Sequence, residues 1–289
     1  MRMDRRPKES TAKNTEETEQ NMSKHLATEF PSDDAEYHIR LKPGDVPRYV
    51  LLPGSPERVE KIKSCLDDPK DLKYNREFRS ARGLYKGVEI ACVSTGIGTT
   101  SAEICLHELN NIGADTAIRV GTTGAISSRF RPGDLIIPVA AVRADGTSNC
   151  YIRPEFPAVA DRDVVNALCE ACENLGYTYG CGIMYSPSSL YLGQGRRIKE
   201  NGYWPHSAEH LIDDLKAARI TNFDTDSAGQ FVVGYLHEMR IASILAVLVN
   251  RDDNTWAKDD SGEYRACRAA CEAVRILSER DKLKSPFKR

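Results

Sequence analysis

Apolar and polar positions alternate along the chain in a pattern that predicts strands and helices in turn. The run RYVLLPG predicts a strand that ends at a glycine, and the runs VEIACV, TAIRV, LIIPVAAV and ASILAVLV predict further, almost continuously apolar strands. Between them, TSAEICLHELNNI and DRDVVNALCEACENL carry apolar residues at helical spacing and end before Gly113 and Gly176. Strands of this composition are typically covered by helices on both faces of a sheet.

This alternation predicts an α/β fold, a single domain with a mixed, mostly parallel sheet or a distorted barrel flanked by helices on both sides. We expect this domain to span residues 35–289, because no linker divides them, and we expect a disordered polar tail over residues 1–34. The first helix should have Ser55 as its N-cap and Pro56 at its first position. Residues 187–206 have neither helical nor strand periodicity, which is typical of a functional or mobile segment.

Length and charge exclude several classes of function. The 289 residues include 40 basic and 42 acidic side chains, so the net charge is −2 and no broad cationic face is expected for nucleic acid. No apolar run reaches the roughly 20 residues of a membrane helix, and the amino terminus lacks the apolar core of a signal peptide. We therefore expect a cytoplasmic protein that binds neither membranes nor nucleic acid.

The 9 cysteines fit an intracellular protein with free thiols better than a disulfide framework. Cys169 and Cys172 form a CxxC motif, but the motif lies within a helical pattern and lacks the strand-to-helix setting of a redox site. Cys267 and Cys271 stand one helical turn apart, without a histidine at ligand spacing. The sequence predicts no metal site from either pair.

Glycines and charged residues follow four of the predicted strands, and ligands of α/β proteins gather at such strand ends. These segments are residues 52–58, 94–98, 118–124 and 222–226. Taken alone, each has a structural interpretation, because glycines form turns and acids at a helix start oppose the helix dipole. Taken together, they favour a phosphate held by arginines and backbone amides, next to carboxylates that accept hydrogen bonds from a sugar.

A nicotinamide cofactor is disfavoured by the same segments. Gly96-x-Gly98 opens a predicted helix, but Ser101 occupies the third glycine position of the dinucleotide fingerprint. The preceding strand also comes from a hairpin rather than from the start of a βαβ unit.

In order along the chain, these segments resemble the nucleoside phosphorylase family, and within it the uridine phosphorylases. The similarity runs from about His38 to the last helix and is carried by VLLPGSPERVEKI, NREF, VSTGIG, RVGTTGAI, YLGQGR and VLVNR. The resemblance implies a pentosyltransferase that cleaves uridine reversibly with inorganic phosphate, with deoxyuridine and thymidine as further candidate substrates. It implies no cofactor, and a homo-oligomer, at least a dimer, with shared active sites.

The resemblance also implies a role for individual residues. The implied phosphate ligands are Gly54, Arg58, Arg119, Thr122 and, from a neighbouring subunit, Arg76. The implied uracil ligands are Gln194, Arg196 and Arg251, and the implied catalytic residues are Arg196, Gln194 and Arg119. The implied ribose ligands are Asp224, Thr225, Asp226 and, from a neighbouring subunit, His38. Some bacterial relatives also hold a monovalent cation near the positions of Glu77, Ile97 and Ser101.

One three-residue segment and one further position depart from the family pattern. Asp224-Thr225-Asp226 stands where Glu-Met-Glu is usual, and each Asp reaches about 1.5 Å less than Glu. Leu190 stands where an aromatic residue commonly precedes the uracil-binding glutamine. We therefore expect weaker or less selective ribose binding and poorer stacking on the base. Two alternatives stay open, a catalytically weak or silent nucleoside-binding relative and a phosphorylase of different base specificity.

Overall fold

The structure is a computed structural model that describes residues 30, 34–200 and 202–283, so almost all of the predicted tail lies outside the described residues. The described residues form eleven strands and seven α-helices. The strands are β1 (Tyr49–Pro53), β2 (Asp67–Asn75), β3 (Phe78–Tyr85), β4 (Val88–Val93), β5 (Thr116–Ala125), β6 (Leu135–Ala144), β7 (Ala158–Val159), β8 (Tyr179–Pro187), β9 (Asn222–Phe223), β10 (Arg240–Asn250) and β11 (Thr255–Trp256). The helices are α1 (Arg58–Lys63), α2 (Thr99–Asn111), α3 (Thr147–Tyr151), α4 (Arg162–Leu175), α5 (Leu211–Ala217), α6 (Ser227–Leu236) and α7 (Ser261–Leu283).

The eleven strands form one sheet that mixes parallel and antiparallel pairs. β1 lies between β4 and β5 and is parallel to both, and β10 is parallel to β5 on its other side. β6 pairs with β10 and with β8, and β9 joins β8 to β5. Because β5 pairs with both β9 and β10, strands β5, β10, β6, β8 and β9 close into a ring. The predicted α/β class with a mixed sheet or distorted barrel is confirmed.

Helices pack against this sheet through small and apolar side chains. α7 lies against α4 and β10, and α6 lies against α2 and β10. Helix α4 begins and ends as predicted: Asp161 accepts hydrogen bonds from the first backbone N–H groups, and Gly176 closes the helix with φ 67°. Among the described helices, none is both long enough and apolar enough to cross a membrane.

The structure differs from the predicted elements at several places. Helix α1 begins at Arg58 rather than directly after Ser55, because Ser55 and Glu57 form a turn in which the Ser55 hydroxyl accepts a hydrogen bond from the Glu57 N–H. Strand β2 was not predicted, since its side chains are mostly exposed and polar on both faces, and it pairs only with β3 at the end of the sheet. The short elements α3, β7 and β11 were also not predicted.

The sheet brings the predicted ligand segments to one edge. β4, β1, β5 and β10 lie side by side and parallel, so the residues that follow their carboxyl ends are neighbours. The antiparallel pairing of β9 with Gly124 and Ala125 brings the start of α6 to the same edge. This edge is where the sequence predicted a ligand site.

Candidate active site

One arginine and two aspartates form a buried ion cluster at this edge. Arg119 of β5 is 5% exposed, and Asp224 and Asp226, between β9 and α6, are 4% and 1% exposed. Arg119 donates to Asp224 from Nε (2.9 Å, to Oδ2) and from Nη2 (2.7 Å, to Oδ1), and Nη2 also donates to Asp226 Oδ2 at 2.9 Å. Burial acts to lower the pKa of Arg119, but the charges of the two carboxylates together have a larger effect, so the pKa of Arg119 is raised. Burial raises the pKa of Asp226, although Arg119 acts in the opposite direction.

Each aspartate accepts two further hydrogen bonds, from different partners. Asp224 Oδ2 accepts from both the backbone N–H (3.0 Å) and the hydroxyl of Ser227. Asp226 accepts from the Gly98 N–H (3.0 Å) and from the Thr225 hydroxyl (2.8 Å). With the bonds from Arg119, Asp224 accepts four hydrogen bonds and Asp226 accepts three. Counted by oxygen atom, Oδ1 of Asp224 accepts only from Arg119 and Oδ1 of Asp226 accepts only from Gly98, so each of these two oxygens retains one acceptor position.

The remaining amino group of Arg119 lies beside the glycine that follows β1. Nη1 is buried and has no hydrogen-bond partner among the described residues. A Cβ atom on Gly54 would lie 3.6 Å from this Nη1 and 3.1 Å from the carbonyl oxygen of Gly96. A side chain at Gly54 would therefore occupy the space next to the unpaired donor. A charged donor that lies beside exposed backbone suits an anion.

Arg58 reaches the same strand from helix α1. Its Nη1 donates to the carbonyl oxygen of Val120 at 3.3 Å, and its Nε donates to Glu263 at 3.0 Å. Glu263, in the first turn of α7, also accepts from Lys61 at 3.1 Å. Thr122, two residues beyond Val120, is partly exposed. Glu263 could not be predicted from the sequence, because no local pattern connects it with a residue 205 positions earlier.

The three predicted uracil ligands lie together in the segment after β8 and at the end of β10. Gln194 is 4% exposed, and its side-chain oxygen accepts a hydrogen bond from Nη1 of Arg196. Arg251 donates to the main-chain carbonyl oxygens of Gln194 and Gly195, the second at 3.2 Å. Burial lowers the pKa of both arginines, and the charge of Arg196 lowers the pKa of Arg251 further.

Strand β5 connects the predicted uracil ligands with the predicted phosphate ligands. A Cβ atom on Gly124 would lie 3.8 Å from Nη2 of Arg196 and 4.0 Å from Cδ of Arg251. Thr122 and Gly124 are two residues apart on β5, so they face the same side about 7 Å from each other.

His38 and Arg76 are neighbours near the turn between β2 and β3. Arg76 is exposed with φ 54°, and the side chain of the adjacent Asn75 donates to the carbonyl oxygen of His38 at 2.7 Å. The His38 ring contacts Glu108 through Nδ1 at 2.6 Å. Arg76 thus lies at the surface of this chain, whereas the His38 side chain is largely buried against Glu108, and the predicted roles of both concern the site of a neighbouring subunit.

The residues predicted near a monovalent cation are also neighbours. The Ser101 hydroxyl donates to Glu77 at 2.7 Å, and this hydrogen bond lowers the pKa of Glu77. Ile97, at the start of the same loop-to-helix segment, is 82% exposed. Among the described residues, no group of three or more His, Cys, Asp and Glu side chains is arranged to hold a metal ion.

Residues 48–278 match the sequence model of the phosphorylase superfamily, a range that contains all eleven described strands and most of α7. The chain belongs to the phosphorylase superfamily. Within this superfamily, the uridine phosphorylase of Thermococcus kodakarensis is 49% identical over 265 residues, which cover 91% of this chain and 95% of the relative. The uridine phosphorylase of Salmonella typhimurium is 35% identical over 246 residues, 83% of this chain and 97% of the relative. The guanosine phosphorylase of Halorubrum lacusprofundi is 28% identical over 250 residues, which cover 83% of this chain and 98% of the relative.

Proposed function

We propose that the protein catalyses the reversible phosphorolysis of uridine to uracil and ribose 1-phosphate. The observation that carries the proposal is the arrangement along β5, where the unpaired Nη1 of Arg119 lies beside Gly54 and where Gly124, five residues after Arg119, lies beside Arg196 and Arg251. The bacterial and archaeal relatives named uridine phosphorylase support uridine as the substrate. In this proposal inorganic phosphate is the co-substrate, no further cofactor takes part, and the enzyme is cytoplasmic.

Gln194 recognises uracil through hydrogen bonds in this proposal. A carboxamide presents a donor next to an acceptor, which complements the N3–H group and the adjacent carbonyl of uracil. The hydrogen bond from Arg196 fixes the orientation of the amide, and its oxygen has a second lone pair for the N3–H group. Arg251 holds the same segment through the carbonyl oxygens of Gln194 and Gly195.

Phosphate attacks C1′ directly, with inversion. A phosphate oxygen forms the new bond to C1′ while the bond between C1′ and N1 breaks and its electron pair passes to uracil. Arg196 stabilises the negative charge that develops on the leaving base, and Arg119, Arg58 and Gly54 hold the phosphate. The reaction needs no covalent bond to the protein.

The two aspartates have different roles toward the sugar. Asp224 pairs with Arg119 through two parallel hydrogen bonds, so we assign it to holding Arg119 in place. Oδ1 of Asp226 accepts only from the Gly98 N–H, so we assign it to accepting one hydrogen bond from a ribose hydroxyl. Thr225 orients Asp226 through its hydroxyl group.

A second copy of the chain completes the site. Arg76 is exposed at the turn after β2, next to His38, and both contribute to the phosphate and ribose sites of the partner. The protein is therefore a dimer or a larger assembly of dimers. Glu77 and Ser101, which are hydrogen-bonded to each other close to Arg76, would lie at the same interface.

A substrate panel at constant phosphate tests the proposal. Uridine, deoxyuridine, thymidine and guanosine are incubated separately with the protein, and the released base is quantified by chromatography. We expect uridine to give the highest kcat/KM and to release no uracil without phosphate. Binding of uridine without cleavage would identify a silent relative, and preference for guanosine would identify a phosphorylase of different base specificity.

A further inference from the structure

Two thiols from different elements lie next to each other outside the proposed active site. Cys169 on α4 and Cys181 on β8 have their Sγ atoms 3.6 Å apart. Both are partly exposed, whereas Cys172, the other cysteine of the CxxC motif, is buried. The structural partner of Cys169 is thus a residue on a neighbouring strand rather than the nearest cysteine in sequence.

We propose that Cys169 and Cys181 form a reversible disulfide when the protein is exposed to a peroxide. The two sulfur atoms must approach by only about 1.5 Å to reach the length of a disulfide bond. Their partial exposure allows a small oxidant to reach them. This site is independent of the proposed phosphorolysis.

The groups around the pair favour different roles for the two thiols: Cys181 reacts with the peroxide, and Cys169 then forms the disulfide with the oxidised Cys181. The hydrogen bond from Cys169 lowers the pKa of Cys181 to about 7, with help from the charge of Arg129 and against burial and Cys172. The same contact, together with burial and Glu173, raises the pKa of Cys169, although Tyr179 opposes this. Cys181 is therefore the thiol of the pair that loses its proton more readily, and the thiolate is the form that reacts with peroxides.

The reaction balances with hydrogen peroxide as the oxidant. The Cys181 thiolate attacks one peroxide oxygen, the O–O bond breaks, and Cys181 sulfenic acid forms while the departing hydroxide takes up a proton to become water. The sulfur of Cys169 then attacks the sulfenic sulfur, the S–S bond forms, and the S–O bond breaks. The departing oxygen leaves as water with the protons of the sulfenic acid and of Cys169. The two thiols lose two electrons, and the peroxide gains them.

The other thiols of the described residues are less suited to this reaction. Cys92, Cys105, Cys267 and Cys271 are buried, and Cys150 is exposed but contacts a main-chain carbonyl oxygen instead of a second thiol. Cys65 can be compared with Cys181, because its hydrogen bond with Cys271 likewise lowers its pKa to about 7. Its partner Cys271 is completely buried, so we expect the pair Cys169–Cys181 to oxidise first.

Peptide mapping of the intact protein tests the proposal. Glu170 and Glu173 separate the three cysteines in sequence, so a glutamate-specific protease places Cys169, Cys172 and Cys181 on different peptides, whereas trypsin leaves all three on residues 163–196. The protein is treated with hydrogen peroxide, its remaining thiols are alkylated, and it is digested without reductant. We expect the peptide that ends at Glu170 to be joined to the peptide that begins at Asn174, with a loss of two hydrogen masses that dithiothreitol reverses.

Matched variants identify the pair. Cys181→Ala and Cys169→Ala should abolish the linkage, whereas Cys172→Ala and Cys150→Ala should retain it. The wild-type map alone decides the proposal if a variant fails to fold. A bond from Cys169 to Cys172, earlier oxidation of Cys65 with Cys271, or oxygen adducts on Cys181 without any linkage would each overturn it.

Discussion

Asp224 holds Arg119 through two parallel hydrogen bonds, at 2.9 Å from Nε and 2.7 Å from Nη2, where both side chains are almost completely buried. This two-point pairing fixes the plane of the guanidinium group. It also directs the unpaired Nη1 toward Gly54. The same ion pair therefore contributes to the stability of the fold and to the geometry of the proposed phosphate site.

Replacing Arg119 should destabilise the protein strongly. Arg119→Met leaves Asp224 and Asp226 buried without a cation, so we expect the free energy of unfolding to fall by about 3–5 kcal/mol. Urea denaturation at neutral pH and fixed protein concentration measures this loss. Arg48→Met is the control, because Arg48 pairs with Asp115 at 2.6 Å but its side chain is 44% exposed, and the expected loss is below about 1 kcal/mol. Equal losses of unfolding free energy in Arg119→Met and Arg48→Met would contradict the stabilising role of the buried ion pair.

Arg196 and its sequence neighbour Arg197 form a matched pair for testing base activation. Arg196 contacts Gln194, whereas Arg197 lies over the ring of Trp204 at 4.4 Å. We expect Arg196→Ala to lower kcat on the order of 100- to 1,000-fold while phosphate still binds, because a donor to the departing uracil is lost. Arg197→Ala should leave kcat close to that of the wild type. Steady-state kinetics with saturating phosphate measure both, and near-normal turnover by Arg196→Ala would exclude its assigned role.

Mixed oligomers test whether subunits share active sites. Arg76→Ala and Arg196→Ala should each be nearly inactive in homogeneous preparations. In a mixed dimer with shared sites, one site carries both substitutions and the other carries neither. Co-expression in equal amounts should therefore restore about one quarter of the wild-type activity, since half of the dimers are mixed and each has one intact site. If Arg76 acts only within its own chain, mixing will restore no activity.

Discrimination between ribose and deoxyribose should be moderate. The 2′-hydroxyl has a single proton, so it can donate one hydrogen bond to a carboxylate, at the unused acceptor position of Asp224 Oδ1 or of Asp226 Oδ1. One such bond to a charged acceptor contributes about 1.5–3 kcal/mol, which corresponds to a ratio of roughly 13- to 160-fold in kcat/KM for uridine over deoxyuridine. Initial rates at constant phosphate measure this ratio. A preference above about 1,000-fold (about 4.1 kcal/mol) would mean that a second group recognises the 2′-hydroxyl.

The main elements of the fold could be predicted because the strands are apolar and the helices carry clear start and stop residues. The run LIIPVAAV and the N-cap Asp161 are examples. Strand β2 could not be predicted, since its exposed polar residues depend on pairing with β3 rather than on their own composition. The closure of the ring through β5 and β10 depends on contacts between distant segments.

The candidate site was predictable where a motif places glycine or arginine at a strand end, as at Gly54 and Arg119. Contacts between distant parts of the chain were not predictable. In the site, Glu263 of the last helix contacts Arg58. Outside the site, Cys181 of β8 contacts Cys169 of α4. The pairing of Arg119 with two aspartates also could not be read from Asp224-Thr225-Asp226 alone, because it depends on how β9 meets β5.

The products formed from uridine test the central claim most directly. The protein is incubated with uridine in the presence and in the absence of inorganic phosphate, uracil is quantified by chromatography, and the sugar phosphate is followed by phosphorus NMR. We expect uracil and ribose 1-phosphate in equal amounts with phosphate, and neither without it. Uridine that stays intact in the presence of phosphate, or uracil released together with free ribose in its absence, would contradict the account.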